Sequence, residues 1–165
     1  AREVPVDVKA LMPGKEADPA GPVIDAGFSA GDISCRITCV SMGNPHCVIF
    51  TENNPLEMAR SYGPLIERHE FFPEKTNTEF VKIKSKTEID MCVYERGCGI
   101  TLACGTGACA SVVACVLNNL TERKVKVNLL GGSVFVDWQG DRENLNKNIF
   151  LIGPAKYSFF ADYIL

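Results

Sequence analysis

Three short stretches of the chain hold side chains able to move protons or to hold an anion. In Ala103-Cys104-Gly105-Thr106-Gly107-Ala108 a thiol stands beside glycines, at the entry to a run whose later spacing is helical. Glycines let the backbone turn tightly and leave N–H groups free at a helix N-terminus, where a carboxylate or phosphate can bind. The same dipole and amides stabilise a thiolate just before that terminus, which makes Cys104 the foremost candidate for a reactive thiol. A plain close-packed turn from strand to helix would use the same small residues. The second stretch, Glu95-Arg96-Gly97, ends a predicted strand. Where the chain turns there, both charges can reach one site; on a regular strand they would point to opposite faces and be solvated. The third, Met42-Gly43-Asn44-Pro45-His46, is a tight turn presenting Asn44 and His46 at the lip of a strand. An amide there binds carboxylate or ammonium, and an imidazole moves protons near neutral pH. A turn asparagine and an ordinary strand histidine fit the stretch as well. His69, in ERHEFF, reads as a residue near the carbonyl end of a helix.

The elements that must position these groups follow from periodicity. Residues 1 to 31, rich in proline and glycine with Val4, Val6 and Val8 between, read as a connecting edge strand followed by turns. ISCRITCVSM alternates, with Ile33, Cys35, Ile37 and Cys39 on one face and Ser34, Arg36 and Thr38 on the other, and HCVIF is the next strand. Gly63-Pro64 interrupts PLEMARSYGPLIERH, which predicts two short helical turns rather than one helix. TEFVKIKS and EIDMCVYER predict an antiparallel hairpin around Ser85 to Thr87, each strand with one wet face. Cys109, Val112, Val113, Val116 and Leu120 recur at helical spacing, with small residues filling the other sides. They predict a helix from about Gly107 to Asn118 that is buried all round. KVKVNLLGGSVFVDW is a hairpin turning at Gly131-Gly132, and NIFLIGPAKYSFFADYIL supplies one or two closing strands. The sum is an α+β fold of roughly seven or eight strands, a mostly antiparallel sheet or barrel wrapped around a buried central helix.

Composition narrows the class. A chain of 165 residues, 46% hydrophobic and 22% charged, suits one soluble domain with a single core. The formal charge is -3, so no basic field draws in phosphate backbones and nucleic acid is not an expected partner. The eight cysteines contain no C-x-x-C pair and have only His46 and His69 to assist them, which argues against a structural metal. Cys35, Cys39, Cys109 and Cys115 follow core periodicity, Cys47 and Cys92 read as core or back-face strand residues, and Cys98 sits between glycines. Reduced thiols and a cytoplasmic setting are expected. No run approaches the roughly 18 apolar residues of a membrane span, and AREVPVDVKALMPGKE lacks a signal peptide's apolar stretch. The chain also starts without Met, as a piece of something longer would.

Taken together, MGNPHCVIF, PEKTNTEFV, YERGCGITLACGTGACA and FLIGPAKYSFF, in that order and at fitting separations, resemble the diaminopimelate epimerase family. The resemblance covers essentially the whole chain and only the second half of the family's pattern. It implies an epimerase-like fold without pyridoxal phosphate, other cofactor or metal, interconverting L,L- and meso-diaminopimelate in lysine and peptidoglycan precursor synthesis. Two cysteines, one from each of two similar domains, would face the α-carbon. By the same resemblance Cys104 is the second-domain thiol, and Gly105 and Thr106 bind the α-carboxylate through their backbone. Asn44, Asn77, Glu95 and Arg96 contact substrate, and His46 and Glu95 assist the proton transfers. Residues 1–149 would form the C-terminal catalytic domain. Residues 150–165 would be a closing strand that completes an N-terminal domain absent here. That domain and a second copy in a homodimer are the implied partners. Ile100 stands where the family usually has Glu, and Phe159 where a Tyr helps the dimer contact.

Inverting a stereocentre without a cofactor needs a base on one face and an acid on the other. The first-domain cysteine lies in an Arg-x-Cys-Gly-Asn segment that this sequence lacks, so the chain is expected to supply one thiol and not to turn over alone. The rival readings are another cofactor-free racemase or isomerase of the same fold, such as the proline racemase or phenazine-biosynthesis relatives, and a non-catalytic anion-binding domain.

Overall fold

A helix without charge needs apolar surface on every side, and here a curved sheet supplies it. The structure, a computed structural model, describes residues 3–5, 23–155, 157 and 159–163. In chain order the strands are β1 (Glu3–Pro5), β2 (Ala26–Ala30), β3 (Ile33–Ser41), β4 (Pro45–Phe50), β5 (Asn77–Ser85), β6 (Glu88–Glu95), β7 (Gly99–Ile100), β8 (Lys124–Leu129), β9 (Gly132–Trp138) and β10 (Asn148–Ile152). Helix α1 (Pro55–Glu67) follows β4, and helix α2 (Gly105–Leu117) follows β7. The sheet order is β1-β10-β9-β8-β6-β5-β4-β3-β2, with β7 attached to β6. Among the described residues only β4–β5 and β6–β8 pair in parallel, and each of these pairs is joined through a helix.

Two helices on opposite faces divide the interior. Val40, Val48, Val81, Met91 and Val93 pack in the cluster that holds α2. Their strand neighbours Cys39, Ile49, Phe80 and Cys92 pack in the cluster that holds Ala59 and Ile66 of α1. Alternation along each strand thus feeds two cores rather than the single core expected from composition. The same arrangement confines the wet faces predicted for β5 and β6 to their hairpin end, where Lys84 and Asp90 meet solvent, because β5 is buried continuously over Asn77–Val81. Thr38, read as solvent-facing, is buried as well: its hydroxyl accepts the Asp25 N–H at 3.1 Å and an Asn118 amide hydrogen at 2.9 Å.

Helix α1 runs unbroken through Gly63-Pro64, contrary to the two separate turns expected. Pro64 is exposed and forfeits one backbone bond, while the rest of the helix is held by what lies beneath it. Gly63 rests on Tyr94, where an added Cβ would come within 2.5 Å of the ring. Asn54 caps the start, its Oδ1 accepting the Leu56 and Glu57 N–H groups at 2.9 and 3.4 Å. Strand β2 forms where turns were read, paired with β3 from Ala26↔Ile37 to Ala30↔Ile33. The turns read over residues 6–22 lie outside the described residues. β1 occupies a sheet edge, as the edge-strand reading of this region expected, and Pro5 fits that position. The hairpin at Gly131-Gly132 forms as read, with Leu129 opposite Gly132. One closing strand forms, β10, and the described residues beyond Ile152 carry none. No helix among the described residues is long and apolar enough to cross a membrane.

Gly63→Ala drives a methyl group into Tyr94 and is expected to cost about 1–3 kcal/mol in urea unfolding followed by circular dichroism. An unchanged midpoint would show that α1 does not rest on that ring.

Candidate active site

Cys104 is the N-cap of α2, in extended conformation. The helix therefore begins two residues earlier than its spacing indicated, because sulfur takes the position usually held by a side-chain oxygen. The Gly107 N–H donates to Cys104 Sγ at 3.4 Å, and Thr106 Oγ1 lies 3.5 Å from the same sulfur. The first intrahelical bond runs from the Ala108 N–H to the Cys104 carbonyl at 3.0 Å. The Gly105 and Thr106 amides precede it and have no acceptor among the described residues. A helix terminus with two acceptor-free amides and a thiol at its mouth is thus in place, the geometry on which the anion-site reading depends. Burial pushes the Cys104 thiol above its ordinary value, outweighing the Thr106 hydroxyl and the Gly107 amide that pull it down. Glu79 and Glu95 add to the rise. Desolvation is the largest of these influences and outweighs the bonds at the helix terminus.

From Cys104 a single file of polar side chains leads inward. Asn44 Nδ2 donates to Thr106 Oγ1 at 3.4 Å, and Asn44 Oδ1 lies 3.0 Å from His46 Nε2. His46 Nδ1 lies 2.6 Å from Glu79 Oε1. The parallel register of β4 on β5 sets His46 beside Asn77, and Glu79, two residues further, projects from the same face as Asn77. His46 and Glu79 are both fully buried. Burial raises the Glu79 carboxyl, against the pull of His46. Glu79 was missed in the sequence because TEFV read as a half-wet strand. The available signal was that Asn77 and Glu79 repeat the spacing of Asn44 and His46.

Asn77 ties the rim together. Its Nδ2 donates to the Pro45 carbonyl at 2.8 Å, and its Oδ1 accepts the Arg96 N–H at 2.9 Å. Glu95 turns back to accept the Thr101 hydroxyl, while the exposed Arg96 guanidinium donates to the Glu74 carbonyl at 3.0 Å. The two charges therefore serve different contacts. Buried Glu67, at the end of α1, accepts the Gly97 N–H at 3.1 Å and anchors the turn. Gly97 and Gly99 adopt φ +78 and +81, a left-handed conformation that costs side-chain-bearing residues strain, and hold exposed Cys98 between them. Ile100 packs against the α1 cluster. A hollow of about 360 Å³ opens beside Asn44, lined also by Gly43, Pro45, Phe72, Glu74 and Lys75.

The other candidates separate clearly. All eight cysteines are free, and Cys39, Cys47, Cys92, Cys109 and Cys115 are buried. Burial pushes Cys109 and Cys115 up to about 12. His69 sits just past α1, its N–H on the Ile66 carbonyl at 3.2 Å and its ring edge-on to Phe28. The described residues contain no cluster of three or more side chains suited to a metal ion.

Near neutral pH, iodoacetamide is expected to modify exposed Cys98 before Cys104. Thr106→Val removes a bond that lowers the Cys104 pKa, so its alkylation should slow severalfold and its rise shift to higher pH. Peptide-resolved mass spectrometry reads both sites, and unaltered Cys104 kinetics in the variant would exclude the Thr106 contact.

A family model for diaminopimelate epimerase matches residues 38–158. The diaminopimelate epimerase of Desulfitobacterium hafniense is 49% identical over 138 residues, spanning 84% of this chain and 47% of that protein. That of Pelotomaculum thermopropionicum is 46% identical over 145 residues, spanning 88% and 50%. The chloroplastic diaminopimelate epimerase of Oryza sativa subsp. japonica is 43% identical over 149 residues, spanning 86% and 41%. The chain thus spans about half the length of the curated relatives it matches. Among solved structures, a hydroxyproline epimerase from Agrobacterium vitis shares the fold, with a TM-score of 0.56 at 13% identity over 78% of this chain and 45% of that one. A probable proline racemase from Agrobacterium radiobacter K84 does so with a TM-score of 0.54 at 16% identity over the same shares. With a family model over most of its length and relatives this similar, the chain belongs to the diaminopimelate epimerase family.

Proposed function

We propose that this chain is the Cys104-bearing part of a cofactor-independent, cytoplasmic epimerase that interconverts L,L- and meso-diaminopimelate for lysine and peptidoglycan precursors. The observation that carries the reading is the Cys104 thiol at the mouth of α2, beside the acceptor-free amides of Gly105 and Thr106. The α-carboxylate docks on those two amides, which brings the α-carbon over Sγ. Cys104 then acts on one face of that carbon, and a second thiol, from a segment outside this chain, acts on the other. One removes the α-proton as a thiolate and the other delivers a proton as a thiol, so the roles exchange with the direction of reaction. The amide dipoles offset charge that spreads from the α-carbon into the carboxylate as the carbanion develops.

Burial favours the neutral thiol of Cys104, the form that delivers a proton to the developing carbanion. Asn44, Asn77, Glu95 and Arg96 contact the rest of the substrate: Arg96 suits a carboxylate, Glu95 an ammonium. Asn77 also holds the backbone of both neighbours in place. His46 assists the proton transfers through Asn44 and Thr106, and Glu95 through the loop that carries Thr101.

Residues 1–149 form the catalytic domain in this reading, and residues 150–165 complete a second, similar domain. β10 pairs with β9, and beyond it Tyr157, Phe159, Phe160 and Tyr163 are 88%, 78%, 85% and 87% exposed, an aromatic run that needs a covering surface. Phe159 belongs to that run.

The complete protein carrying this chain, incubated with L,L-diaminopimelate in deuterated water, is expected to incorporate α-deuterium and produce the meso form. Cys104→Ala should reduce the rate by about a thousandfold or more. A complete protein that leaves the substrate untouched would return the field to related racemases or to an anion-binding domain.

A further inference from the structure

Glu79 has no part in the mechanism above, yet it is a fully buried carboxyl at the inner end of the file of side chains that reaches the thiol. Each member of that file has a fixed capacity to donate or accept, so the direction of one bond sets the direction of the next. An amide nitrogen only donates, so Asn44 Nδ2 on Thr106 Oγ1 leaves the Thr106 hydrogen free for Cys104 Sγ. It also leaves Asn44 Oδ1 to accept from His46, which requires a proton on Nε2. With Nε2 protonated, the short contact between Nδ1 and Glu79 Oε1 must hold a second proton. Reversing the Asn44 amide leaves Nε2 bare and the ring proton on Nδ1, so Glu79 accepts with Oε1, either as a carboxylate or with a proton on Oε2, and the Thr106 hydrogen turns to Asn44 and away from the sulfur.

Two observations select the first set. Glu79 Oε2 is buried without a hydrogen-bond partner among the described residues, which suits the carbonyl oxygen of a carboxyl whose proton lies toward Nδ1, and suits neither a carboxylate nor an O–H on Oε2. The ionisable groups that act on Glu79 and its file are His46, Glu95, Cys47 and Cys104, and none is a permanent cation. The upward shift of the Glu79 carboxyl by burial agrees. Gly107 completes the packing, since a Cβ there would meet Glu79 Oε1 at 2.8 Å and Cys104 Sγ at 3.3 Å.

We propose that Glu79 is a positioning residue: its carboxyl shares a proton with His46 Nδ1, fixes the second ring proton on Nε2, and so aims the Thr106 hydroxyl hydrogen at Cys104 Sγ. The inference deepens the role given to Cys104 in turnover and rests on that reading only there, because the bonds themselves involve no substrate.

The test follows Cys104 alkylation against pH in the complete protein without substrate, by peptide-resolved mass spectrometry, for wild type, Glu79→Gln and Glu79→Leu. Glutamine still donates to Nδ1, so Glu79→Gln should keep the wild-type profile. Leucine cannot, so Glu79→Leu should shift the profile upward and slow alkylation near neutral pH by about tenfold. Faster alkylation in both variants would mean that an ionised Glu79 had been repelling the thiolate, and would overturn the proposal. So would an unchanged profile in Glu79→Leu, or equal slowing in both. Should Glu79→Leu fail to fold, nitrogen-15 spectra of His46 in the wild type decide: a proton on Nε2 supports the assignment and a bare Nε2 refutes it. Diaminopimelate enters none of these measurements, so a wrong substrate assignment would leave their outcome intact.

Discussion

Helix α2 runs for 13 residues without a charge, and a helix of that kind is stable only if every side of it meets apolar surface. Two flat layers cannot do this. The sheet instead curls so that β3, β4, β9 and β10 contribute to one enclosure, with Val40, Val48, Val136 and Ile149 packed in the cluster around the helix. The ends of the helix are the only places where its backbone can meet water or a ligand. Its N-terminus, with Cys104 as cap, therefore opens at the rim of the enclosure, and the site's location follows from the helix being unable to lie anywhere else.

Enclosing a helix so thoroughly makes any polar group nearby expensive, and most of the side chains at its mouth satisfy one another, Glu79 Oε2 being the exception. His46, Asn44 and Thr106 are linked end to end, and Asn77 has both amide atoms engaged on backbone. Glu67 performs the equivalent service on the α1 side, receiving Gly97 with one oxygen and Arg68 with the other. The rim loops are thereby fastened from within by buried groups, while Arg96 and Cys98 remain in solvent at their tips.

Much of this was legible in the residues. The period of Cys109, Val112, Val113 and Val116 announced the buried helix, the paired glycines at 131 and 132 announced a hairpin, and the small residues around Cys104 announced an open helix terminus. What stayed hidden depends on contacts distant in sequence. Gly63-Pro64 breaks a helix by local rules, and only Tyr94, on another element, explains why it does not. With α1 misread, nothing indicated that β5 would be covered on both faces, so Glu79 passed for a solvated side chain. The parallel register that brings β4 beside β5 is likewise invisible to periodicity, which reports faces and not neighbours.

The two parallel pairings also govern how the molecule opens. β4 finds β5 only across α1, and β6 finds β8 only across the segment that contains α2. Pairings so separated in sequence form late. Cys109 and Cys115, sealed inside the enclosure that those pairings close, can exchange with an external disulfide only when the whole assembly comes apart. The protein thus carries internal clocks of its own global unfolding, insensitive to fraying at the rim where Cys98 sits.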